Sequence, residues 1–485
     1  MSTDPTNRNR NRNRNTERAT LPAYGMPVRG LANGEVDADG YLRRNPADKP
    51  WNLFRIRGPL DAERLAAAVE RVTLATDVLH LRLRATDAGP RLVRREPAPL
   101  KLEIIEVPAT VTDGRLAPEA AAVLAPVLFD KPDLREDPAG RVCLLRSPQD
   151  DEQLLAFAFD HSVMDGWALG LLTRAVAGAY RSGDYTPRGR GFEAFVEDLP
   201  DEEVRQESLA GWQDLLAPYP LPGPRMHMPG AGPDQPDSFI GDGHFDGPLP
   251  ARLAADLTEA VARTGLSRAE VLFAATALAA GLWSDGPQPL LSLRHGHTRQ
   301  EDVLVIGPLV EPCVLLPPSP EPATVGDWIA AHCRANEALP ATYGRSIREV
   351  APLAPRNVGV NILPPARPLP FGPGTKAVTA SRAFLATLWQ DERPAGPSTA
   401  AVWIDYYMDR PDSVEVTLTY DTRVLPSPEP LLDTLAEVVT AAAHEPDFPV
   451  TVLRAHTGAP TPVPAPTQTP ARAPAPAEIP ERQAA

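Results

Sequence analysis

A chain of 485 residues, 43% of them hydrophobic, is too long for one ordinary core and can fill two lobes of about 200 residues each. Its net charge of −15 excludes nucleic acid as the main partner, because neutralising phosphates needs a basic face. Three scattered cysteines (Cys143, Cys313, Cys333) exclude a disulfide framework and a CxxC metal site; no apolar run reaches the roughly 20 residues of a membrane span, and the polar start Met1–Thr20 carries no secretory signal, so a cytoplasmic protein is expected.

Residues 1–24 are rich in Asn and Arg, alternating over Asn7–Asn15, and read as a solvated, disordered tail. A first lobe is predicted over 25–218. It opens with a strand in "PWNLFRIRG" and a helix in "GPLDAERLAAAVERV", which Asp61 can cap and where Leu65, Val69 and Val72 share one face. "VLHLRLRA" and "LKLEIIEV" alternate as half-buried strands do. "GRVCLLRS" and "EQLLAFAFDH" are further apolar strands, and "GWALGLLTRAVAGAY" is a helix with Leu169, Leu172, Val176 and Ala179 on one face. The Pro/Gly-rich stretch 219–250 reads as a linker. A second lobe, 251–457, begins with a helix to about 263 and another with Ser267 and Glu270 at capping-box spacing. Strands "PLLSLRHG", "NVGVNILP", "AVWIDYYM" and "SVEVTLTYD" follow, and the helix "PLLDTLAEVVTAAA" closes the lobe. Residues 458–485, dominated by Pro, Ala and Thr, are expected to be a disordered tail. Helices and strands mix without a strict βαβ rhythm, so the fold class is α+β.

The sharpest chemical feature is "AFDHSVMDGWA". His161 closes an apolar strand, where a side chain can reach a cleft while its backbone stays anchored. Neutral imidazole, with an ordinary pKa near 6.5, suits a general base. Asp165 stands at a helix start, where the helix dipole favours a carboxylate, and Gly166 permits close backbone approach. His295 and His297 form an HxH pair without a third ligand at metal spacing. "GPGTK" lacks phosphate-loop spacing and reads as a turn; there is no G-x-S-x-G elbow; Trp167, Trp403 and Tyr406 read as core.

The stretch around His161 resembles the HHxxxDG signature of the CoA-dependent acyltransferase superfamily, and the chain resembles its nonribosomal-peptide condensation domains in particular. "WNLFRIRGPLDAERLAAAVERV", "DVLHLRLR", "LREDPAGRVCLLR", "SRAEVLFAATALAAGLW", "VLVIGPLVEPCVLLPP" and "VEVTLTYDTRVLPSPEPLLDTLAEVV" are similar to successive family segments over roughly residues 45–445. Three positions depart from the pattern. Asp160 stands at the signature's first His, Glu311 at an expected Asn, and the usual opening segment is hard to find in "MPVRGLANGEVDADGYLRRNPADK".

The resemblance implies two chloramphenicol-acetyltransferase-like lobes in a V-shaped pseudo-dimer, with the active site at their junction. It implies an acyltransferase of secondary metabolism, as in antibiotic biosynthesis, that binds no cofactor of its own. The donor would be a thioester on phosphopantetheine or on coenzyme A; the acceptor, a small-molecule amine or alcohol. With one such domain in the chain, the acyl or peptidyl carrier protein would be met in trans. His161 would be the base, Gly166 would border the reacting carbonyl, and Asp165 would hold the loop through a salt bridge to Arg294, or failing that Arg299. The alternatives are an O-acyltransferase of the polyketide-associated or wax-ester type and a catalytically silent, condensation-like binding domain.

Overall fold

The computed structural model describes residues 20–24, 34–45, 49–87, 89–219, 224–232, 236, 238–295, 300–343, 357–363, 367–382, 384–389, 396–410 and 413–458. The first half carries β1 (Trp51–Arg57), α1 (Ala62–Leu74), β2 (Leu81–Thr86), β3 (Gly89–Arg94), β4 (Leu102–Glu106), α2 (Pro118–Phe129), β5 (Gly140–Arg146), β6 (Glu152–Phe159), α3 (Gly166–Ser182), α4 (Phe192–Glu197) and α5 (Glu202–Leu216). As the sequence predicts, Asp61 caps α1, accepting from the amides of Glu63 and Arg64. The second half carries β7 (Gly243–Pro248), α6 (Ala251–Thr264), α7 (Arg268–Leu282), β8 (Leu290–His295), β9 (Val310–Leu315), α8 (Val325–Asn336), β10 (Val358–Leu363), β11 (Lys376–Thr379), β12 (Val402–Arg410), β13 (Ser413–Tyr420), α9 (Glu429–His444) and α10 (Val450–Thr457). The capping box of Ser267 and Glu270 starts α7.

The first sheet runs β11-β1-β6-β5-β4. Its strand β6 is antiparallel to both neighbours, while β4 and β5 are parallel. Both faces are covered, which is why β5 and β6 read as continuous apolar runs. On one face Ile56, Leu155 and Phe157 pack against Leu65 and Val69 of α1 and Leu172 and Val176 of α3. On the other, Leu145 and Leu154 pack against Leu124 and Leu128 of α2. Each such side chain contributes about 1.5–3 kcal/mol by leaving water.

The second sheet runs β7-β13-β12-β10-β8-β9. Helices α6, α7 and α9 cover one face, with Leu257, Leu278 and Val438 against Val360, Ile404 and Leu418. The other face is covered at its β8–β9 end by α5, whose Trp212 and Leu216 pack on Leu291, Cys313 and Leu316. A helix from the first half therefore completes the second layer.

Three boundaries differ from the sequence reading. The tail read over 1–24 is structured at its end: Leu21–Pro22 pairs with β3, and Leu21 and Tyr24 are buried. Residues 1–19 and 459–485 lie outside the described residues. The stretch read as a linker, 219–250, contains β7, an edge strand of the second sheet. Finally, β11 leaves the second half and adds to the first sheet, pairing with β1. Arg382, just beyond it, returns to the second sheet, lying 4.2 Å over the Tyr407 ring and 3.4 Å from Asp246.

In α8, His332 is buried and stacks on Trp328 with ring centroids 5.3 Å apart. Burial pushes its imidazole down to about 4. The unfolded chain takes up that proton near pH 6.5, so His332 lowers stability progressively as pH falls from there toward 4. We expect His332→Phe to flatten the loss of urea midpoint between pH 7 and pH 5. Parallel pH dependences for the two proteins would contradict a neutral, buried His332.

Candidate active site

β6 ends at Phe159, and His161 lies two residues on, in the turn between β6 and α3 rather than on the strand itself. The turn is braced from within. Fully buried Asp160 accepts on one carboxylate oxygen from the amide of Ser162 (2.8 Å) and from the Asn45 side chain (3.0 Å). Its carbonyl accepts from the amide of Val163 (3.1 Å). An aspartate at the signature's first His thus closes the turn as a short acceptor, an Asx arrangement that leaves half-buried His161 at the bend.

Asp165 caps α3. One oxygen accepts from the amide of Ala168 (2.8 Å) and the other from the amide of Val310 on β9 (3.0 Å). The amides of Leu309 and Trp167 also act on it. Burial raises its pKa to about 6, and the backbone donors hold it down from going further. At pH 7 it is therefore mostly ionised, stabilised by oriented N–H groups at a helix N-terminus rather than by a cation.

This corrects the expected salt bridge. Among the described residues Asp165 has no cationic partner. Arg294 stands opposite Glu311 in the β8–β9 ladder, its Nε 3.9 Å from the Glu311 carboxylate, and it donates to the carbonyls of Leu339 and Pro340. The physical reason is register: cross-strand pairing presents a buried carboxylate to Arg294 on its own sheet. Arg299 and His297 lie outside the described residues, as does the side chain of His295. Among the described residues no group of three or more His, Cys, Asp or Glu could hold a metal ion.

At the junction between the halves, four described first-half residues make polar contacts with residues 302–311. Besides Asp165 to Val310, Trp167 donates its indole N–H to the Val303 carbonyl (3.0 Å). Arg190 pairs with buried Asp302 at 2.5 Å. Tyr24, buried edge-on against Phe195, donates its hydroxyl to Glu311. Burial and the Glu311 carboxylate raise the Tyr24 phenol well above its ordinary range. Thr342 donates to the other Glu311 oxygen (2.6 Å). Tyr24, Arg190 and Asp302 were not singled out in the sequence, and Trp167, read as core, is half-buried in this contact. Tyr406 is core as expected, its hydroxyl 2.7 Å from Thr276.

Gly166, the first residue of α3, is exposed and faces the second sheet: a Cβ there would sit 3.9 Å from Leu363. On the same strand face Asn361 meets Asp405 (3.1 Å) and the Trp403 ring covers Gly359, where a Cβ would collide at 2.1 Å. The start of α3 therefore meets the second sheet at Leu363, and this seam between the two halves lies on the strand face that also carries Asn361 and, on the neighbouring strand β12, Asp405 and Trp403.

These features are those of a two-lobed acyltransferase-like protein with a histidine turn at the lobe junction. A Condensation domain family model matches residues 51–301, just over half of the sequence, and the chain belongs to that family. Phosphinothricin tripeptide synthetase PhsC of Streptomyces viridochromogenes is 29% identical over 232 residues, covering 44% of this chain and 20% of that protein. The chain spans a fifth or less of the length of the curated relatives it matches. Among solved structures, the first condensation domain of the CDA synthetase superposes with a TM-score of 0.67 at 17% identity, over 90% of this chain and 98% of that one. The X-domain from teicoplanin biosynthesis, solved in complex with OxyB, gives 0.63 at 18% identity, over 90% and 96%. The fold expected from the resemblance is the fold observed. No single helix among the described residues is long and apolar enough to cross a membrane.

Asp165→Ala removes a helix cap, worth about 1 kcal/mol, and strands the Val310 amide at roughly 1–3 kcal/mol more. It should lower melting temperature and turnover together. Arg294→Ala should destabilise through the buried Glu311 while turnover per folded molecule falls less. Thermal melts paired with active-site-normalised rates check this; equal losses of turnover in both variants would contradict separate roles for the two residues.

Proposed function

We propose that the protein catalyses amide or ester formation between an acyl thioester carried on phosphopantetheine and an amine or hydroxyl nucleophile, in natural-product biosynthesis. Condensation domains in general are acyl or peptidyl transferases that work with carrier-bound substrates. The observation that carries the reading for this chain is the His161 turn, braced by Asp160 and fixed to the second half through Asp165, beside exposed Gly166 at the start of α3. In this reading the His161 imidazole takes the nucleophile's proton as it attacks the thioester carbonyl. The carbon–sulfur bond breaks, and the thiol leaves with a proton. Holding both substrates in the seam supplies much of the rate, and the positioned base a further 10² to 10⁴, roughly. The carrier would be met in trans, and coenzyme A is the alternative donor.

A second reading, a silent binding domain, draws support from Asp160 at the signature's first His and from the likeness to a domain solved with a bound partner. The two part on one experiment. Mass spectrometry follows product formation from candidate acyl carriers and nucleophiles. His161→Ala should keep the wild-type melting temperature and lower turnover by about two orders of magnitude or more. A variant that keeps most of its turnover would remove His161 from the mechanism, and no turnover by the wild type with any carrier would favour the silent domain.

A further inference from the structure

Position 311 holds a carboxylate where the family pattern has Asn, and the change alters what its neighbours must supply. An amide both donates and accepts; a carboxylate only accepts and, once buried, needs donors on both oxygens. Glu311 is 1% exposed. Thr342 meets one of its oxygens with a hydroxyl (2.6 Å) and an amide (3.3 Å), and the Arg294 Nε stands 3.9 Å from that same oxygen. The other oxygen accepts from the Tyr24 hydroxyl. Thr342 and Arg294 belong to the second half, whereas Tyr24 reaches Glu311 from the first.

Tyr24 is itself held by backbone and ring. Leu21 and Pro22 pair with β3, and the Ala23 amide donates to the Pro90 carbonyl (3.2 Å). The buried ring stands edge-on to Phe195 of α4, with centroids 5.1 Å apart. Phe192 on the same helix covers Gly307, where a Cβ would lie 2.3 Å from its ring. Helix α4 is thus wedged between Tyr24 and the 302–311 segment. Burial and the Glu311 charge raise the phenol well above its ordinary range, so it stays a donor at neutral pH. Glu311 and Val310 are adjacent on β9, about 3.3 Å apart along the strand. A shift of Glu311 therefore moves the N–H that meets Asp165 at 3.0 Å. Displacing a catalytic group by about 1 Å can cost on the order of a hundredfold in rate.

We propose that Tyr24 is a positioning residue for the reaction: its hydrogen bond to Glu311 fixes β9 so that the Val310 amide meets Asp165 and the His161 turn keeps its place. The proposal rests on the reading of His161 as the base. It makes Leu21–Tyr24, which the sequence puts in a disordered tail, part of the scaffold of the site.

The test uses the full chain and two variants. Tyr24→Phe deletes the hydroxyl and keeps the ring; adding Glu311→Gln to it also removes the stranded charge. With the carrier-bound thioester that the wild type turns over, Tyr24→Phe should lower kcat about tenfold and leave KM nearly unchanged. Its melting temperature should fall, and the Val310 amide should exchange faster while amides on the α9 core face stay protected. The double variant should regain melting temperature, because no buried charge is left short of a donor, yet keep the low kcat and the fast Val310 exchange. An unchanged kcat in Tyr24→Phe, or a kcat that recovers together with the melting temperature in the double variant, would overturn the proposal. Exchange needs no turnover, so it separates this idea from the catalytic reading. If His161→Ala keeps full turnover, or the wild type shows none, the catalytic reading fails and Val310 decides alone: faster exchange in both variants supports the tie, and unchanged exchange overturns it. If His161→Ala is inactive while Tyr24→Phe matches the wild type in kcat and exchange, the tie fails and the catalytic reading stands.

Discussion

The site depends on how one buried carboxylate is shared. Asp165 gives one oxygen to the first turn of α3 and the other to the Val310 amide of the second half. A carboxylate removed from water must be met by donors, or it is driven to protonate. Here the donors are backbone amides, fixed in place by a helix and a strand. Because those amides belong to both halves, satisfying the charge also fixes the His161 turn against the second sheet. Trp167, two residues along, and the Arg190–Asp302 pair repeat the attachment on the same segment.

The remaining architecture keeps that segment still. Glu311, one residue after Val310, is a second buried carboxylate, held by Tyr24, Thr342 and Arg294. The halves also exchange elements: α5 covers part of the second sheet, and β11 extends the first. Two lobes linked by a single tether would drift relative to each other. With exchanged elements, separating them exposes Trp212 and breaks a strand pairing.

Much of this was legible in the sequence, for local reasons. The caps at Asp61 and Ser267 follow from side chains that satisfy amides two or three residues away. The core strands β5 and β6 announce themselves by length and apolarity, and the place of His161 between an apolar strand and an amphipathic helix was legible, though the sequence put it on the strand end rather than in the turn. What stayed hidden depends on partners far along the chain. Tyr24 follows the polar Asn/Arg-rich start in a short segment without periodicity, and the carboxylate that explains it lies 287 residues on. Edge strand β7 reads as a linker because glycines and a proline interrupt it; Gly243 is required there because the Tyr420 ring occupies the space a Cβ would need. Helix α2 escapes periodicity because Pro126 lies inside it and it is apolar nearly all round. Arg294 was correctly placed on a strand, yet its partner was set by the β8–β9 register, which composition does not reveal.

The most direct measurement of the central claim, that the Asp165 carboxylate ties the histidine turn to the second half, is hydrogen exchange at the Val310 amide. In the wild type this proton should exchange slowly, protected by its bond to Asp165. In Asp165→Ala it should exchange faster by orders of magnitude, while amides on the α9 core face stay protected, showing that the fold survives. Fast exchange at Val310 in the wild type, or protection unchanged by the substitution, would contradict the account.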